Sequence, residues 1–565
     1  MSMDIERLLE NIQKPARYIG GEWNSVKKDF DSARVKVALC FPDAYEIGMS
    51  HLGLKILYHL LNEAKGVVCE RVFMPWFDMQ ERLRKESALL FSLESKRPLS
   101  DFDIIGFSLE HELNYTNVLA MLSLSNIPLR SAERGAEYPL VIAGGICCVN
   151  PEPMADFFDA FFIGEAEEGI LEIIEKITNY KLQINPKSQI PNSKTQILKE
   201  LSKIEGVYVP SFYDVKYNDD GAIKSFTPKD ASVPAVIKKR IVKDFENAYY
   251  PIKQIVPFIQ IVHDRISLEV MRGCPNKCKF CQATAVYFPV RLRSADKILE
   301  LAEKTYQATG HDEISLVSLS TGDHPQILEI VRGLTDRFIS RRVSISLPSL
   351  RAEDMLRSLP ELISSIKKTG FTFAPEAGSQ RLRDSLNKRL DITKLYDCAA
   401  QAAKNGWRRV KLYFMIGLPG ETEEDLSQIK ELVKNIPAQK TISVSYFVPK
   451  PHTDFETESM VDMESLKQKQ EFLCRALKVK GVDLKWHDIN MSFLEAVLSR
   501  GDRRASAVIL RAYELGARFD SWKEGFNSQI WQKAFESSGI DPGFYLYRKK
   551  GQDEVMPWKH IQVLI

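Results

Sequence analysis

Residues 271–281 read Met-Arg-Gly-Cys-Pro-Asn-Lys-Cys-Lys-Phe-Cys, and the interpretation of the whole chain starts from them. The stretch places three cysteines at C-x3-C-x2-C spacing: Cys274, Cys278 and Cys281. Gly273 and Pro275 flank the first of them, so the pattern predicts a turn and not a helix. A short loop of this kind can direct three thiolates at one centre. Three protein ligands leave one coordination position open, and a substrate or cofactor can bind there.

Other interpretations of three clustered cysteines are weaker. A structural zinc site takes four ligands, and the nearest further donors in sequence are His263 and His311. An inert group of buried thiols is a second alternative. A disulfide framework is disfavoured because three is an odd number and the chain has the features of an intracellular protein. The spacing also differs from the bacterial ferredoxin run, which has four cysteines.

The spacing, with the aromatic Phe280 just before the last cysteine, resembles the signature of the radical S-adenosylmethionine (radical SAM) enzymes. The resemblance implies that Cys274, Cys278 and Cys281 hold three irons of a [4Fe-4S] cluster. It also implies that the amino and carboxylate groups of S-adenosylmethionine (SAM) chelate the fourth iron. Phe280 is accordingly assigned to the SAM-binding residues.

Six strand–helix units predict a partial (β/α)6 barrel from about 260 to 460. The cysteine loop follows the first predicted strand, 266–270, and loops at strand carboxyl ends carry the active sites of β/α barrels. The other predicted strands are at 313–319, 343–347, 371–379, 410–422 and 442–448. The resemblance assigns further SAM contacts at or after the ends of three of these strands: Gly322, Asp323, Ser349, Arg351, Glu376 and Lys388. Taken singly, each of these residues is also typical of a turn, a cap or a surface pair.

The N-terminal third predicts a doubly wound parallel sheet, because apolar strands at 35–42, 67–73, 104–109, 140–145 and 160–165 alternate with helices. Ligands are expected at the carboxyl ends of such strands. The loops there are similar to the cobalamin-binding domain that precedes many radical SAM domains. The resemblance assigns cobalamin contacts to eight residues: Asp43, Tyr45, Gly48, Ser108, Gly144, Gly145, Gly164 and Glu165.

Tyr45 departs from one cobalamin-binding pattern. Proteins that ligate cobalamin through a histidine carry Asp-x-His-x-x-Gly in the first loop, and here Tyr45 stands in the histidine position. Tyrosine is a poor cobalt ligand, so the resemblance implies cobalamin held without that histidine. The alternative is a doubly wound domain that keeps the fold without the cofactor.

The chain has 565 residues, too many for one core, so several domains are expected. The fold class is α/β, with the doubly wound sheet followed by the partial barrel and a helical region. We expect an N-terminal arm at 1–34, the cobalamin-binding-like domain at 35–180, a linker with a β ribbon at 181–255, the barrel at 256–460 and an α-helical C-terminal region at 461–565.

Composition and net charge narrow the range of partners and compartments that we expect. The net charge of +2 gives no global attraction to nucleic acid or anionic membrane. No apolar run approaches the roughly 18 residues of a membrane helix, and residues 1–7 do not predict a signal peptide. These features predict a cytoplasmic protein with no membrane partner, in which the nine cysteines serve as thiols and cluster ligands.

The C-terminal region combines five arginines with three tryptophans: Arg500, Arg503, Arg504, Arg511 and Arg518, with Trp522, Trp531 and Trp558. Arginine with aromatic residues can bind RNA backbone and bases. Acidic residues are interleaved, which favours a solvated helix face over a tryptophan core. RNA therefore stays an alternative partner.

The sequence as a whole predicts a radical SAM enzyme. The resemblance implies that SAM is cleaved to a 5′-deoxyadenosyl radical, and that cobalamin, if bound, donates a methyl group to the substrate. It implies a one-electron reductant of flavodoxin or ferredoxin type. The chain lacks the additional cysteine trio of methylthiotransferases, so a second cluster is not expected. A binding or sensory module without turnover is the alternative, and neither the substrate nor a catalytic residue is indicated.

Overall fold

A computed structural model of the protein describes residues 5–183, 194–346, 371–404, 409–551 and 553–564. The chain divides into two compact units. The first unit comprises Met1–Asp264, Leu498–Pro542 and Asp553–Ile565, and the second comprises Arg265–Val497 and Gly543–Gln552. The first unit is therefore assembled from three separate segments of the chain, and the residues 461–565 are shared between the units.

The elements before residue 265 alternate between strands and helices. The strands are β1 (Val35–Phe41), β2 (Val67–Phe73), β3 (Ile104–Ser108), β4 (Leu140–Gly144), β5 (Ala160–Phe162), β6 (Val207–Tyr208), β7 (Tyr213–Tyr217), β8 (Ile223–Pro228) and β9 (Ile237–Lys238). The helices are α1 (Ile5–Leu9), α2 (Ala16–Ile19), α3 (Tyr45–Gly48), α4 (Leu52–Glu63), α5 (Phe77–Lys85), α6 (Tyr115–Leu124), α7 (Ala166–Gln183) and α8 (Lys194–Leu201).

The main sheet of the first unit has the strand order β2-β1-β3-β4-β5-β6. The first five strands are parallel, and β6 pairs antiparallel with β5 at the edge. This is the flavodoxin-like order, in which ligands bind beyond the carboxyl ends of β1 and β3, where the strand order reverses. The prediction of a doubly wound parallel sheet is confirmed.

The parallel strands are buried on both faces, which explains why most of their residues are apolar; β2 also buries the charged Glu70 and Arg71. One face packs a core that includes Val37 of β1, Tyr58 of α4 and Ile174 of α7. Residues that point to the opposite face, such as Cys40 and Phe107, are also buried.

An antiparallel hairpin and the C-terminal segments complete the first unit. The hairpin joins β7 to β8 through a turn at 218–221, where Gly221 has a φ of 83°. Helices α17 (Ala505–Glu514) and α18 (Ser528–Ser538) pack against each other, and α17 also packs on α6. The final strand, β19 (Ile561–Gln562), pairs with β9 in parallel.

The second unit contains two parallel sheets. Its strands are β10 (Ile266–Glu269), β11 (Met271–Arg272), β12 (Arg291–Leu292), β13 (Glu313–Val317), β14 (Ser344–Ser346), β15 (Phe371–Glu376), β16 (Arg409–Ile416), β17 (Gln439–Tyr446) and β18 (Val482–Trp486). Its helices are α9 (Gln282–Val286), α10 (Ala295–Thr309), α11 (Ile327–Phe338), α12 (Gln380–Ser385), α13 (Ile392–Lys404), α14 (Glu423–Lys434), α15 (Met463–Ala476), α16 (Ile489–Arg500, which runs past the unit's limit) and α19 (Gly543–Leu546). One parallel sheet has the order β10-β13-β14 and the other β15-β16-β17-β18.

Local sequence explains where the helices of this unit begin. The Ser294 side chain caps α10 by accepting a hydrogen bond from the backbone N of Lys297, and Gly310 ends that helix in the left-handed conformation. Thr422 and Asp425 form a capping box at the start of α14. Helices thus follow strands with short polar connections, as a parallel β/α arrangement requires.

The predicted α/β fold class is confirmed, but the C-terminal region contains two strands that sequence reasoning missed, β18 and β19. β18 pairs in parallel with β17 at the edge of its sheet, although 461–565 was predicted to be helical. Its residues alternate between partly buried and exposed, which is typical of an edge strand.

Candidate active site

The cysteine loop lies at the carboxyl end of β10, as predicted. It begins after β11, which pairs antiparallel with β12. Gly273 has a φ of 90°, and a Cβ there would lie 2.8 Å from the backbone O atoms of Pro289 and Tyr287. The tight turn before the first cysteine therefore requires glycine.

The loop is held from outside by the turn that follows α12. The backbone N of Lys279 donates to the backbone O of Leu386 at 3.0 Å. The Asn387 side-chain amide donates to the backbone O of Lys277 at 2.8 Å and of Asn276 at 3.3 Å. These bonds tie a loop with few bonds of its own to a helical element about 110 residues away.

Phe280 lies on the apolar side of this arrangement. Its ring packs against a small buried core made of Ala377, Leu382, Leu386, Leu418 and Phe447. The aromatic residue therefore anchors the loop between its second and third cysteines.

The thiols of Cys274, Cys278 and Cys281 are free and partly exposed. Burial raises the pKa of the Cys278 thiol, the ammonium of Lys388 opposes that rise, and the thiols of Cys281 and Cys274 add to it. The three thiols thus lie close enough to influence one another. The same chain places Cys40, Cys69, Cys147, Cys148 and Cys398 in buried positions, where they have no comparable access.

The geometry does not match a single metal ion. Sulfurs bound to one tetrahedral zinc at about 2.3 Å would lie about 4 Å apart. Within the described part of the chain, the three loop cysteines do not form a set whose ligand atoms all lie within 4.8 Å of one another. In an iron–sulfur cluster each cysteine binds a different iron, so the three sulfurs need not meet at one metal atom.

Asp323 and Gly322 lie next to the cysteine loop. They belong to a single helical turn after β13, in which Gly322 is buried and Asp323 is half-buried. One oxygen of Asp323, Oδ2, accepts hydrogen bonds from Ser320 Oγ at 2.6 Å and from Asn276 Nδ2 at 2.8 Å. Asn276 is the second residue after Cys274, so the predicted SAM-binding carboxylate contacts the loop directly.

Glu376 and Lys388 form an ion pair close to Cys278. Lys388 Nζ lies 3.4 Å from Glu376 Oε1. Burial raises the pKa of Glu376, and the neighbouring Lys388 opposes the rise. Glu376 ends β15 with a φ of 66°, a conformation that few side chains adopt without a local reason. The predicted SAM contacts Ser349 and Arg351 fall outside the described residues.

The residues assigned to cobalamin are placed in the first unit. Asp43 follows β1 and is buried; its Oδ1 accepts hydrogen bonds from Ala44 N and from the indole Nε1 of Trp522, both at 2.7 Å. Burial raises the pKa of Asp43, and the bond from Trp522 opposes that rise. Its Oδ2 accepts from Asn114 Nδ2 at 3.3 Å. Side chains of the protein itself therefore surround this carboxylate.

Tyr45 and Gly48 face the interior of the first unit. The Tyr45 hydroxyl donates to Glu22 Oε1 at 2.8 Å, and its ring packs edge-on against Phe73. A Cβ on Gly48 would lie 2.3 Å from the Phe73 ring. Tyr45 is thus engaged in the core and is not directed at a ligand.

The remaining cobalamin assignments divide into two groups. Ser108 and Gly144 are register partners at the carboxyl ends of β3 and β4, and a Cβ on Gly144 would meet no atom within 4 Å. The next residue, Gly145, has a φ of 108° and lies against the backbone of Leu109.

Gly164 and Glu165 bond to the backbone of a later segment of the chain. Gly164 bridges to Arg240, and the Oε2 atom of Glu165 accepts a hydrogen bond from Val242 N at 2.7 Å. The open space at Gly144 is consequently the feature most suited to a ligand.

Three of the five C-terminal arginines, Arg503, Arg504 and Arg511, pair with acidic side chains of the protein. Arg500 is completely buried. Arg503 donates to Glu152, and Arg504 donates to Asp502 and stacks on Tyr217. Arg511 pairs with Glu514. This pairing does not favour the alternative of an arginine surface that binds RNA.

Sequence reasoning missed three residues of these sites: Asn276, Asn387 and Trp522. Both asparagines lie in turns, where asparagine is explained by backbone conformation alone. Asn387 has a φ of 53°, which fits that explanation. Trp522 was noted only as an aromatic companion of arginines. Their partners are far away in sequence, so no local pattern indicated these contacts.

Comparison with known proteins identifies the family. The family model for the radical SAM superfamily matches residues 268–433, and the model for the N-terminal region of radical SAM proteins matches residues 53–210. The chain belongs to the radical SAM superfamily. The predicted resemblance is confirmed, and the cofactors of this superfamily are a [4Fe-4S] cluster and SAM.

Relatives and a solved structure extend the comparison. An uncharacterized protein of Methanocaldococcus jannaschii is 30% identical over 474 residues, which is 83% of this chain and 89% of that protein. The ribosomal protein uS12 methylthiotransferase RimO of Thermotoga petrophila is 24% identical over 219 residues, 36% of this chain and 50% of RimO.

The solved structure is that of TsrM, a radical SAM methyltransferase of Kitasatospora setae with cobalamin and a [4Fe-4S] cluster bound. It is 13% identical, with a TM-score of 0.51, and the match covers 90% of this chain and 100% of that chain. At this identity the likeness concerns the fold alone.

Among the residues that the structure describes, no helix combines the length and apolar composition of a membrane span.

Proposed function

We propose that the protein cleaves SAM reductively at a [4Fe-4S] cluster held by Cys274, Cys278 and Cys281, and uses the resulting radical to modify a substrate. When bound, the cluster and SAM supply a 5′-deoxyadenosyl radical that removes hydrogen from an unactivated carbon. The observation that carries the proposal is the grouping of three partly exposed thiols with Asp323, which Asn276 of the loop contacts, and with the Glu376–Lys388 pair, which lies close to Cys278.

The protein's own residues supply binding and orientation. Asp323 offers a carboxylate for the ammonium group of SAM, a charge-assisted pairing. Burial raises the pKa of the Cys278 thiol, and the ammonium of Lys388 lies close enough to oppose that rise. Glu376 and Lys388 together offer one charge of each sign to a zwitterionic amino acid. Phe280 and Asn387 hold the loop in place.

Radical SAM enzymes need a one-electron reductant and a substrate. We propose a flavodoxin- or ferredoxin-like reductant for this protein, because the cluster must receive electrons one at a time.

The test replaces one predicted cluster ligand. Cys278→Ala should lose the iron–sulfur absorption band and the production of 5′-deoxyadenosine after anaerobic reconstitution. Cys474→Ala is the matched control, because Cys474 is exposed and lies on α15, outside the loop. Undiminished 5′-deoxyadenosine from Cys278→Ala would refute the assignment. A stable cluster in the unaltered protein with no SAM cleavage under strong reductant would favour the binding or sensory alternative.

We propose cobalamin as a second cofactor, bound at the carboxyl edge of the first unit's sheet, and methyl transfer as the reaction outcome. Three features support it: the flavodoxin-like strand order, the likeness to the fold of TsrM, and the open space at Gly144. Bound cobalamin would supply a methyl group to the substrate.

The residues of the first unit fit one part of cobalamin, its ring, and do not fit a bond from Tyr45 to its cobalt. The loop after β1 does not fit a protein-derived cobalt ligand, since Tyr45 is bonded to Glu22 inside the core. The same loop keeps Asp43 bonded to Trp522. The Gly144–Gly145 turn does fit close approach of a large planar ring. Binding through ring contacts, without a lower ligand from Tyr45, is the arrangement that these residues allow.

A bulky side chain at Gly144 tests this part of the proposal. Gly144→Leu should weaken corrin binding by about tenfold, or about 1.4 kcal/mol, while the melting temperature is unchanged. Gly106→Ala is the control for replacing a sheet glycine, because its Cβ would make only ordinary contacts at 3.9–4.0 Å. Corrin is measured by its absorption spectrum in protein purified without oxygen. Equal corrin content in both variants would contradict the assignment of Gly144.

A further inference from the structure

Asn276 occupies a position between two groups of the cysteine loop site. Its Nδ2 atom donates to Asp323 Oδ2 at 2.8 Å and lies 3.4 Å from the sulfur of Cys274. A side-chain amide carries two N–H donors, so one nitrogen can serve both acceptors. The same atom also lies 3.4 Å from Ser320 Oγ. Asn276 is thus the described residue that joins a cysteine sulfur to the predicted SAM-binding carboxylate.

The orientation of the Asn276 amide is fixed by its neighbours. The carboxylate of Asp323 accepts hydrogen bonds only, so the nitrogen and not the oxygen of the amide must face it. The Asn276 backbone O accepts a hydrogen bond from Asn387, which holds the residue in the loop. Ser320 donates to the same oxygen of Asp323 at 2.6 Å, which fixes the carboxylate in turn. Both ends of the bridge are therefore held before any ligand binds.

We propose that Asn276 is a positioning residue that links Cys274 Sγ to Asp323, raising the reduction potential of the cluster and holding Asp323 ready for the amino group of SAM. This inference rests on the proposed function of the same site. Hydrogen bonds to cluster sulfurs are one of the means by which proteins set cluster potentials, because they stabilise the more negative, reduced form. A donor shared with Asp323 couples that effect to SAM binding.

A purely structural role for Asn276 predicts a different result. If the amide only maintained the turn, its loss would resemble the loss of Asn387. The Asn387 side chain holds the same loop, but it donates to the backbone O atoms of Asn276 and Lys277 and not to a cysteine sulfur. Asn387→Gly removes that support and keeps the left-handed backbone, since glycine adopts a φ of 53° freely. It is therefore the matched control.

The experiment measures the cluster in the absence of SAM. Asn276→Ala and the similarly shaped Asn276→Leu are reconstituted anaerobically beside Asn387→Gly and the unaltered protein. Midpoint potentials come from redox titration monitored by electron paramagnetic resonance. We expect both Asn276 variants to shift the one-electron equilibrium about threefold to tenfold toward the oxidised cluster, which is about 30–60 mV at 59 mV per tenfold. Asn387→Gly should leave the potential unchanged.

SAM affinity gives a second readout. Binding should weaken in Asn276→Ala and in Asp323→Asn, and the double variant should lose less than the product of the two effects, because both act through one contact. Full multiplicativity would overturn the coupling. Equal potentials in the Asn276 variants and the unaltered protein, or an equal shift in Asn387→Gly, would overturn the tuning. Failure of both Asn276 variants to take up a cluster that Asn387→Gly retains would also overturn it, since Asn276 would then serve assembly. Absence of any cluster in the unaltered protein would instead refute the proposed function.

Discussion

Replacing Arg503 with alanine should destabilise the protein, because we expect Arg503 to stabilise the fold and not to bind RNA. Arg503 Nε donates to Glu152 Oε2 at 2.9 Å, and Arg503 Nη2 donates to the hydroxyl of Tyr208 at 2.9 Å. The Glu152 side chain is 1% exposed and that of Arg503 is 22% exposed. Removing one partner of such a pair leaves a buried charge and costs about 3–5 kcal/mol. We expect about 3 kcal/mol, because Tyr208 still donates to Glu152 at 2.6 Å.

The pH dependence of this loss has a definite sign. Burial raises the pKa of Glu152, and Arg503 is the largest influence that lowers it. Without Arg503 the pKa in the folded protein rises further above the unfolded value. A carboxyl group of this kind favours folding when it is protonated, so the deficit of Arg503→Ala should shrink as the pH falls from 8 to 5.

Urea denaturation followed by tryptophan fluorescence measures the effect. Arg511→Ala is the control, because Arg511 and Glu514 are 45% and 48% exposed and an exposed pair contributes about 0–1 kcal/mol. Adding Glu152→Gln to Arg503→Ala should recover much of the loss, since the buried charge disappears with its partner. A loss below about 1 kcal/mol, together with loss of salt-dependent RNA binding, would refute this reasoning and restore the RNA alternative.

Two further predictions concern the first unit. Burial raises the pKa of Asp520 to about 6, against hydrogen bonds from Trp531 and Thr116. The contribution of Asp520 to stability is fully present below the pKa of an unfolded aspartate and is lost as the pH rises through about 6. It amounts to at most about 3 kcal/mol, at 1.4 kcal/mol per unit of pKa shift. Asp520→Asn should flatten the slope of stability against pH between pH 4 and 6 in urea titrations, and an unchanged slope would count against this prediction. Glu22→Ala should lower the free energy of unfolding by about 3–5 kcal/mol, because the fully buried Arg71 loses one of its two carboxylate partners and the Tyr45 hydroxyl loses its acceptor. Glu22→Gln should lower it less. Equal losses in the two variants would show that the charge of Glu22 is not the reason.

The sequence predicted those features that repeat along the chain. Apolar strands alternating with helices give both parallel sheets, and cysteine spacing gives the loop. The edge strand β18 was not predicted, because Val482–Trp486 is short, its apolar and charged residues alternate, and it lies inside a mostly helical stretch. Period-two patterns of five residues are easily lost in such surroundings.

The candidate site was predictable only in part, for a physical reason. Asp323 and Glu376 were assigned from their places at or after the ends of predicted strands, and the structure places both near the cysteine loop. Asn276 and Asn387 were not found, since a turn explains an asparagine equally well. Tyr45 was assigned from its place in a loop, but the direction of its side chain depends on Glu22, which lies 23 residues earlier. Long-range partners decide where a side chain points, and local sequence does not encode them.

The pairing of β19 with β9 has a consequence for biosynthesis. Ile237 cannot meet Ile561 until more than 300 further residues have been translated. At the usual 5–20 residues per second, β9 waits about 15–60 s on the ribosome for its partner strand β19, and helices α17 and α18 are translated within that interval. During that interval the surface that will receive Trp522 and Arg503 is open to other proteins in the cell. Chaperone dependence of the nascent chain should therefore persist until translation passes residue 562.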